Sequence, residues 1–210
     1  MKQHIFTLLS TLLFTQAGIA QSTGTFTDSR DGQTYKTISV ENAMTGNTVI
    51  WMAQNLNYKV QNSYAYDDDE SNRKEFGLLY TWEAAKKACP NGWHLATDSE
   101  WSMLVSEFGG ADKAGEDLKS VKGWNWNEDE DGNGTNSSGF NALPAGVRGD
   151  NGYNVLGYFS FWWSSTPTGE EGKASFWDIS YGGPTMSLRS KVFHFEGNIL
   201  NGMSVRCVRD

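Results

Sequence analysis

Cys89 and Cys207 are the residues of this 210-residue chain with the most direct chemical consequence. A free thiolate can attack a substrate or hold a metal, whereas two joined sulfurs can do neither. The first residues, Met1-Lys2-Gln3-His4, precede an apolar stretch from Ile5 to Ala20 that closes on Gly18-Ile19-Ala20. A basic start, a short apolar middle and a small-x-small end read as a secretory signal over residues 1–20. Export delivers the cysteines to a compartment where disulfides persist, and an even count leaves no sulfur over. The two are expected to pair, which in the chain-entropy description is worth roughly 4–5 kcal/mol. Two separate reactive thiols are the alternative. Zinc hydrolysis needs clustered ligands, yet only His94 and His194 follow the signal and neither sits in an H-E-x-x-H arrangement. Each reads as a packing or surface residue. The 25 acidic residues offer many pairs for glycoside cleavage, but their order in sequence does not set the distance that chemistry requires.

The segment Asp129-Glu-Asp-Gly-Asn-Gly-Thr135 begins as a calcium loop does, with oxygen side chains at Asp129, Asp131 and Asn133 and glycine where the backbone must turn. The twelfth position is Phe140, where that template requires a bidentate Glu. Calcium is thus a possible cofactor, with a plain solvated turn as the competing reading. Around this segment lie Trp124, Trp126, Arg148, Asp150 and Tyr153. Aromatic rings stack on sugar faces or anchor protein partners because they bury large area at little rotamer cost. These five are the candidate ligand contacts, weighed against packing on the loop's own body. In the run Tyr158 to Trp163 adjacent side chains of a strand point to opposite faces, so at least one of Trp162 and Trp163 belongs to the core. Trp163 is the expected one.

The elements that must position these residues follow from patterning. Gln33 to Val40 alternates, and Asn47 to Ala53 follows across Thr45-Gly46, which reads as an N-terminal hairpin. Asn62 to Glu75, with Asp67-Asp-Asp-Glu70, reads as a solvated loop. Thr81 to Ala88 reads as a short helix stopped by Pro90. A second helix starts at the capping box Thr97/Glu100 and places Trp101, Leu104, Val105 and Phe108 on one face before Gly109-Gly110. From Ala111 to Gly172 the pattern dissolves, apart from a helical turn near Glu116 to Val121, and a stretch this long is commonly functional. Ala174 to Tyr181, Met186 to Phe195 and Ser204 to Arg209 alternate and read as three closing strands. With 9 Trp, 8 Tyr, 11 Phe and 23 Gly, aromatic clusters between Gly-rich loops supply much of the burial. A formal charge of −8 disfavours nucleic acid and anionic lipid surfaces. Beyond the signal no apolar run approaches the ~20 residues that span a bilayer, so membrane insertion is not expected.

The order hairpin, helix with Cys, helix, long irregular loop and final strand with Cys resembles the C-type-lectin-like fold, in which those two cysteines bond. Trp82 to Trp101 is similar to a signature of sulfatase-modifying enzymes. A closer resemblance is to the Fibrobacter succinogenes major paralogous domain. It is carried by Thr27-Asp-Ser-Arg-Asp-Gly-Gln-Thr-Tyr35, Trp51-Met-Ala-Gln-Asn-Leu-Asn57, Cys89-Pro-x-Gly-Trp-His-Leu-x-Thr97, Ala114-Gly-x-x-Leu-Lys119, Gly139-Phe-Asn-Ala-Leu-Pro-Ala-Gly146, Trp163-Ser-Ser165 and Ser204-Val-Arg-Cys207. The resemblance implies an α+β, C-type-lectin-like domain over residues 21–210, with two short helices, small antiparallel sheets and a long irregular loop. It places the chain at the cell exterior: secreted, periplasmic or surface-associated. The fold also resembles retroelement-diversified variable proteins, which present ligands to the same loop face. Formylglycine-generating enzymes of this fold need reactive cysteines, and here both are claimed by the bridge. The expected role is non-catalytic recognition of an extracellular glycan, envelope component or protein. A structural component of the cell surface is the alternative, and an enzyme related to the formylglycine generators the third.

Overall fold

The computed structural model describes residues 22–125, 131–181 and 191–210; the expected signal at 1–20, Trp126 and Asp129 lie outside them. In chain order the elements are β1 (Ser22–Thr27), β2 (Thr34–Glu41), β3 (Thr48–Met52), β4 (Ser63–Tyr64), a 3-10 turn (Tyr66–Asp68), α1 (Glu70–Phe76), β5 (Leu79–Tyr80), α2 (Trp82–Ala88), β6 (Trp93–Leu95), α3 (Asp98–Glu107), α4 (Ala114–Leu118), β7 (Val147–Gly149), β8 (Gly152–Asn154), β9 (Phe159–Pro167), β10 (Lys173–Ser180), β11 (Val192–Asn198) and β12 (Cys207–Arg209). They form a mixed α+β arrangement with a five-stranded sheet in the order β1-β2-β3-β12-β6, a three-stranded sheet β11-β10-β9, and the pairs β4-β5 and β7-β8. Every named strand pair is antiparallel.

The β2-β3 hairpin forms as its alternation predicts, with Ile38 opposite Trp51 and Thr37 opposite Met52. Neighbouring side chains on a strand point to opposite faces. Trp51 and Val208 therefore enter one apolar cluster, while Met52 and Cys207 enter another across the same sheet. Burying both faces explains why β12 is short and apolar. It also corrects the reading of three closing strands as a run, because β12 leaves β11 and pairs with β3 and β6.

The capping box at α3 is present as expected, Thr97 and Glu100 satisfying each other's backbone N–H. Trp101, Leu104 and Val105 are buried. Trp101 meets Trp51, Phe140, Trp162 and Trp177 with ring centroids 4.9–6.2 Å apart, which makes it the hub of the first cluster. Two helices were expected and four are found among the described residues. The additional α1 buries no side chain and is capped by Asp69, whose carboxylate accepts from the Ser71 N–H, so no apolar period announces it. The stretch 62–75 is consequently structured, which corrects its reading as an open loop. Likewise the region after Ala111 contains β9, nine residues long. Both Trp162 and Trp163 are fully buried, one in each cluster, because β9 is covered on both sides. Cys89, just past α2, is joined to Cys207 on β12 with sulfurs 2.04 Å apart. Among the described residues no helix is long and apolar enough to cross a membrane.

Candidate functional site

The β7-β8 hairpin projects from the loop region and pairs Arg148 with Tyr153 across its two strands. It is tied to the segment before β12 by reciprocal backbone bonds, Arg148 N–H to the Gly202 carbonyl at 2.9 Å and Gly202 N–H to the Arg148 carbonyl at 2.7 Å. Gly146 lies at its base with φ +67°; a Cβ there would stand 2.6 Å from the Asn154 carbonyl oxygen and 2.7 Å from the Tyr66 ring. Only glycine tolerates both the left-handed backbone and that approach.

Tyr153 is held from the other side. Its hydroxyl donates to Asp68 Oδ1 at 2.8 Å and its ring lies 5.2 Å from that of Tyr66. Burial, then the hydrogen bond and charge of Asp68, push the Tyr153 phenol up to about 12. Asp67 and Asp68 both have φ near +55°, an uncommon conformation for a residue with a Cβ. The acidic run dismissed as solvent-facing thus supplies the residue that fixes the hairpin.

Beside the hairpin is a cleft of about 490 Å³ whose lining includes Tyr64, Glu83, Arg148, Asp150, Ile199 and Leu200. The Arg148 guanidinium sits 4.1 Å from the Tyr64 ring centroid, and no ion pair claims it among the described residues. Glu83 is engaged by Lys86 at 2.8 Å, whereas the exposed Asp150 has no side-chain bond among the described residues. Leu200, 64% exposed, forms an apolar rim. A guanidinium fork, a carboxylate and a ring edge on one concave surface can hydrogen-bond vicinal hydroxyls and pack a sugar's apolar face. A larger concavity of about 650 Å³ between β2 and the 136–141 segment is lined by Thr, Gln and Asn and carries a single charged side chain, Lys36.

Of the expected contacts, Arg148 and Asp150 meet in the cleft, and Tyr153 supports Arg148 from behind. Trp124 is a correction: at 2% exposure its indole N–H donates to Ser120 Oγ and the Ala142 carbonyl, so it packs the loop's own body. Of the half-motif for calcium, Asp131 Oδ1 accepts from the Asn133 backbone at 2.9 Å, and Asn133 Oδ1 accepts from the Trp124 N–H at 3.0 Å. These oxygens close the turn, and no group of three or more metal-binding side chains occurs among the described residues. Tyr64, Asp68 and Leu200 were missed, because two lie in the stretch read as loop and the third beyond a glycine turn.

One cluster has the residue types of a catalytic triad. Ser175 Oγ bonds both Asp98 oxygens at 2.9 Å and His194 Nε2 at 2.5 Å, and the Trp177 indole N–H also donates to Asp98. In a relay the carboxylate orients the imidazole through its other nitrogen and the hydroxyl faces substrate. Here Asp98 approaches the same Nε2, at 3.3 Å, and Ser175 is only 2% exposed. The cluster ties β10 to the first turn of α3. His94 is likewise structural, bonded to Asp210 at 2.6 Å and Glu100 at 2.8 Å.

Several of the blocks that carry the family resemblance converge instead on Arg206. Its guanidinium donates to Asn55 Oδ1 at 2.8 Å and to the carbonyls of Met52 at 3.0 Å, Phe140 at 2.8 Å and Asn141 at 3.0 Å. Asn55 Oδ1 also accepts from the Trp162 indole. Three separated sequence blocks are thereby knotted together with Trp162, and a model of the Fibrobacter succinogenes major domain matches residues 39–209. The chain belongs to that family. The Thr27–Tyr35 block precedes the matched range; there Arg30 binds Asp28 at 2.6 Å and stacks on Tyr58. No curated protein and no solved structure matches the chain. The blocks that carry the resemblance build the scaffold, whereas Tyr64, Asp150 and Leu200 of the cleft lie outside those blocks.

Proposed function

We propose that this Fibrobacter-type major domain is an exported, non-catalytic recognition module that binds an extracellular glycan in the cleft between the β7-β8 hairpin and β4. The observation that carries the reading is Arg148. Among the described residues it is stacked on Tyr64 without an ion pair, beside the unbonded carboxylate of Asp150, on a hairpin fixed by Tyr153 and Asp68. A planar donor and a carboxylate acceptor match the alternating hydroxyls of a sugar and leave their own partners to be supplied by ligand. The scaffold is read as C-type-lectin-like. That reading is supported by the cysteine after the early helix α2 joined to the last strand, and by the irregular region held out between them. The leader-like first 20 residues and the disulfide support export to an oxidising compartment.

The test is capture of polysaccharide from an envelope extract and on a glycan array, with Arg148→Ala and Asp150→Asn beside the wild type. Each variant is expected to lower capture at least tenfold, a loss of about 1.4 kcal/mol, with an unchanged melting temperature. Undiminished capture by both folded variants removes the cleft from the account.

A further inference from the structure

The three-stranded sheet carries an unsatisfied acid among phenylalanines. Asp178, on the central strand β10, lies directly opposite Phe193 of β11 and Phe161 of β9. Residues paired across antiparallel strands share a face, and so does Phe176 two positions along β10. The rings of Phe193, Phe195, Phe176, Phe161 and Phe159 touch in that order, with centroids 5.9, 5.9, 5.9 and 5.7 Å apart. They trace a horseshoe of rings on Asp178's own face. Asp178 is 5% exposed, and its Oδ1 is buried with no hydrogen-bond partner. Burial alone pushes this carboxyl up to about 7. The charged groups of the neighbouring strands do not reach it: His194 and Glu196 pair with Trp177 and Ser175 on the opposite face, and Lys173 binds Glu170.

A buried polar group without a partner is costly, and an apolar side chain would fill the same position at no such cost. An acid placed there is explained by a partner that none of the described residues supplies. That partner is a cation, because the carboxylate and the negative faces of the rings favour the same sign of charge. A primary ammonium brings three N–H donors, and the face offers one carboxylate to receive them. Methyl groups in place of N–H remove the mismatch and pack on the rings. We propose that Asp178 and the surrounding phenylalanines form a binding site for a methylated organic ammonium, entered past the edge strand β11, where Phe195 is 49% exposed. The site shares no residue with the Arg148 cleft and stands or falls independently of it.

The experiment titrates choline, and its neutral carbon isostere 3,3-dimethylbutan-1-ol, into the full folded chain above the pH at which Asp178 ionises, read by calorimetry and by ring chemical shifts. Saturable choline binding is expected, at least about tenfold tighter than that of the isostere. Asp178→Asn, shown by thermal melting to be folded, is expected to lose at least about tenfold in choline affinity. Equal affinity for the two probes, no saturable choline binding, or unchanged affinity in a folded Asn variant would overturn the proposal. If the Asn variant does not fold, the comparison of the two probes on the wild type decides.

Discussion

Arg206 shows how one side chain can hold a structure without meeting a ligand. It is fully buried with neutral acceptors for partners, its ring contact to Phe140 is 4.2 Å, and burial lowers its guanidinium to about 9. Truncation strands several buried carbonyls, and each unmet group costs about 1–3 kcal/mol. Arg206→Ala is expected to lose at least ~3 kcal/mol in urea unfolding; a loss below 1 kcal/mol would refute its role. Asp178 makes the opposite contribution. Its folded value is raised from 3.8 to about 7, so the native state retains a proton that the unfolded chain has released. Stability due to this group therefore falls as pH rises through that window and is flat above it, by on the order of 4 kcal/mol if nothing relaxes. Asp178→Asn should flatten that part of the pH–stability curve, as measured by melting at several pH values, and parallel curves for variant and wild type would contradict the assignment.

At the scale of elements, the site depends on backbone geometry more than on side-chain identity. Gly146→Ala forces a Cβ into left-handed backbone, at roughly 1–2 kcal/mol, and against Asn154 and Tyr66. The variant is expected to remain folded with a lowered melting temperature and weakened glycan capture, because the hairpin that carries Arg148 must shift; capture equal to wild type would show the hairpin is not part of the site. The elements legible in sequence were those whose buried and exposed positions recur regularly. Strand β2 alternates along much of its length and α3 buries one face, so their periods of 2 and 3.6 survive in the residue pattern. Strand β9 buries adjacent Trp162 and Trp163 on opposite sides and so shows no clean alternation, while α1 buries neither face and reads as loop. Arg148 and Asp150 were visible as exposed polar residues among glycines. Tyr64, against which Arg148 stacks, and Asp68, which holds Tyr153, were not, since a contact such as that of Asp68 with Tyr153 across 85 positions leaves no local trace.

For the whole molecule, two levels separate. The family blocks meet at Arg206, Asn55 and the Trp101 aromatic hub, and the disulfide joins the end of α2 to β12 across a sequence separation of 118. This frame fixes the fold. The hairpin, β4 and the 199–202 segment are carried on it, so the proposed binding surface is separate from the core. The most direct test is amide hydrogen exchange of the wild-type chain with and without the polysaccharide it captures. Slowed exchange confined to residues 147–154, 62–64 and 199–202 is the predicted result. Protection that falls instead on β1 and β2, beside the larger Thr- and Asn-lined concavity, with the hairpin unchanged, would contradict the account.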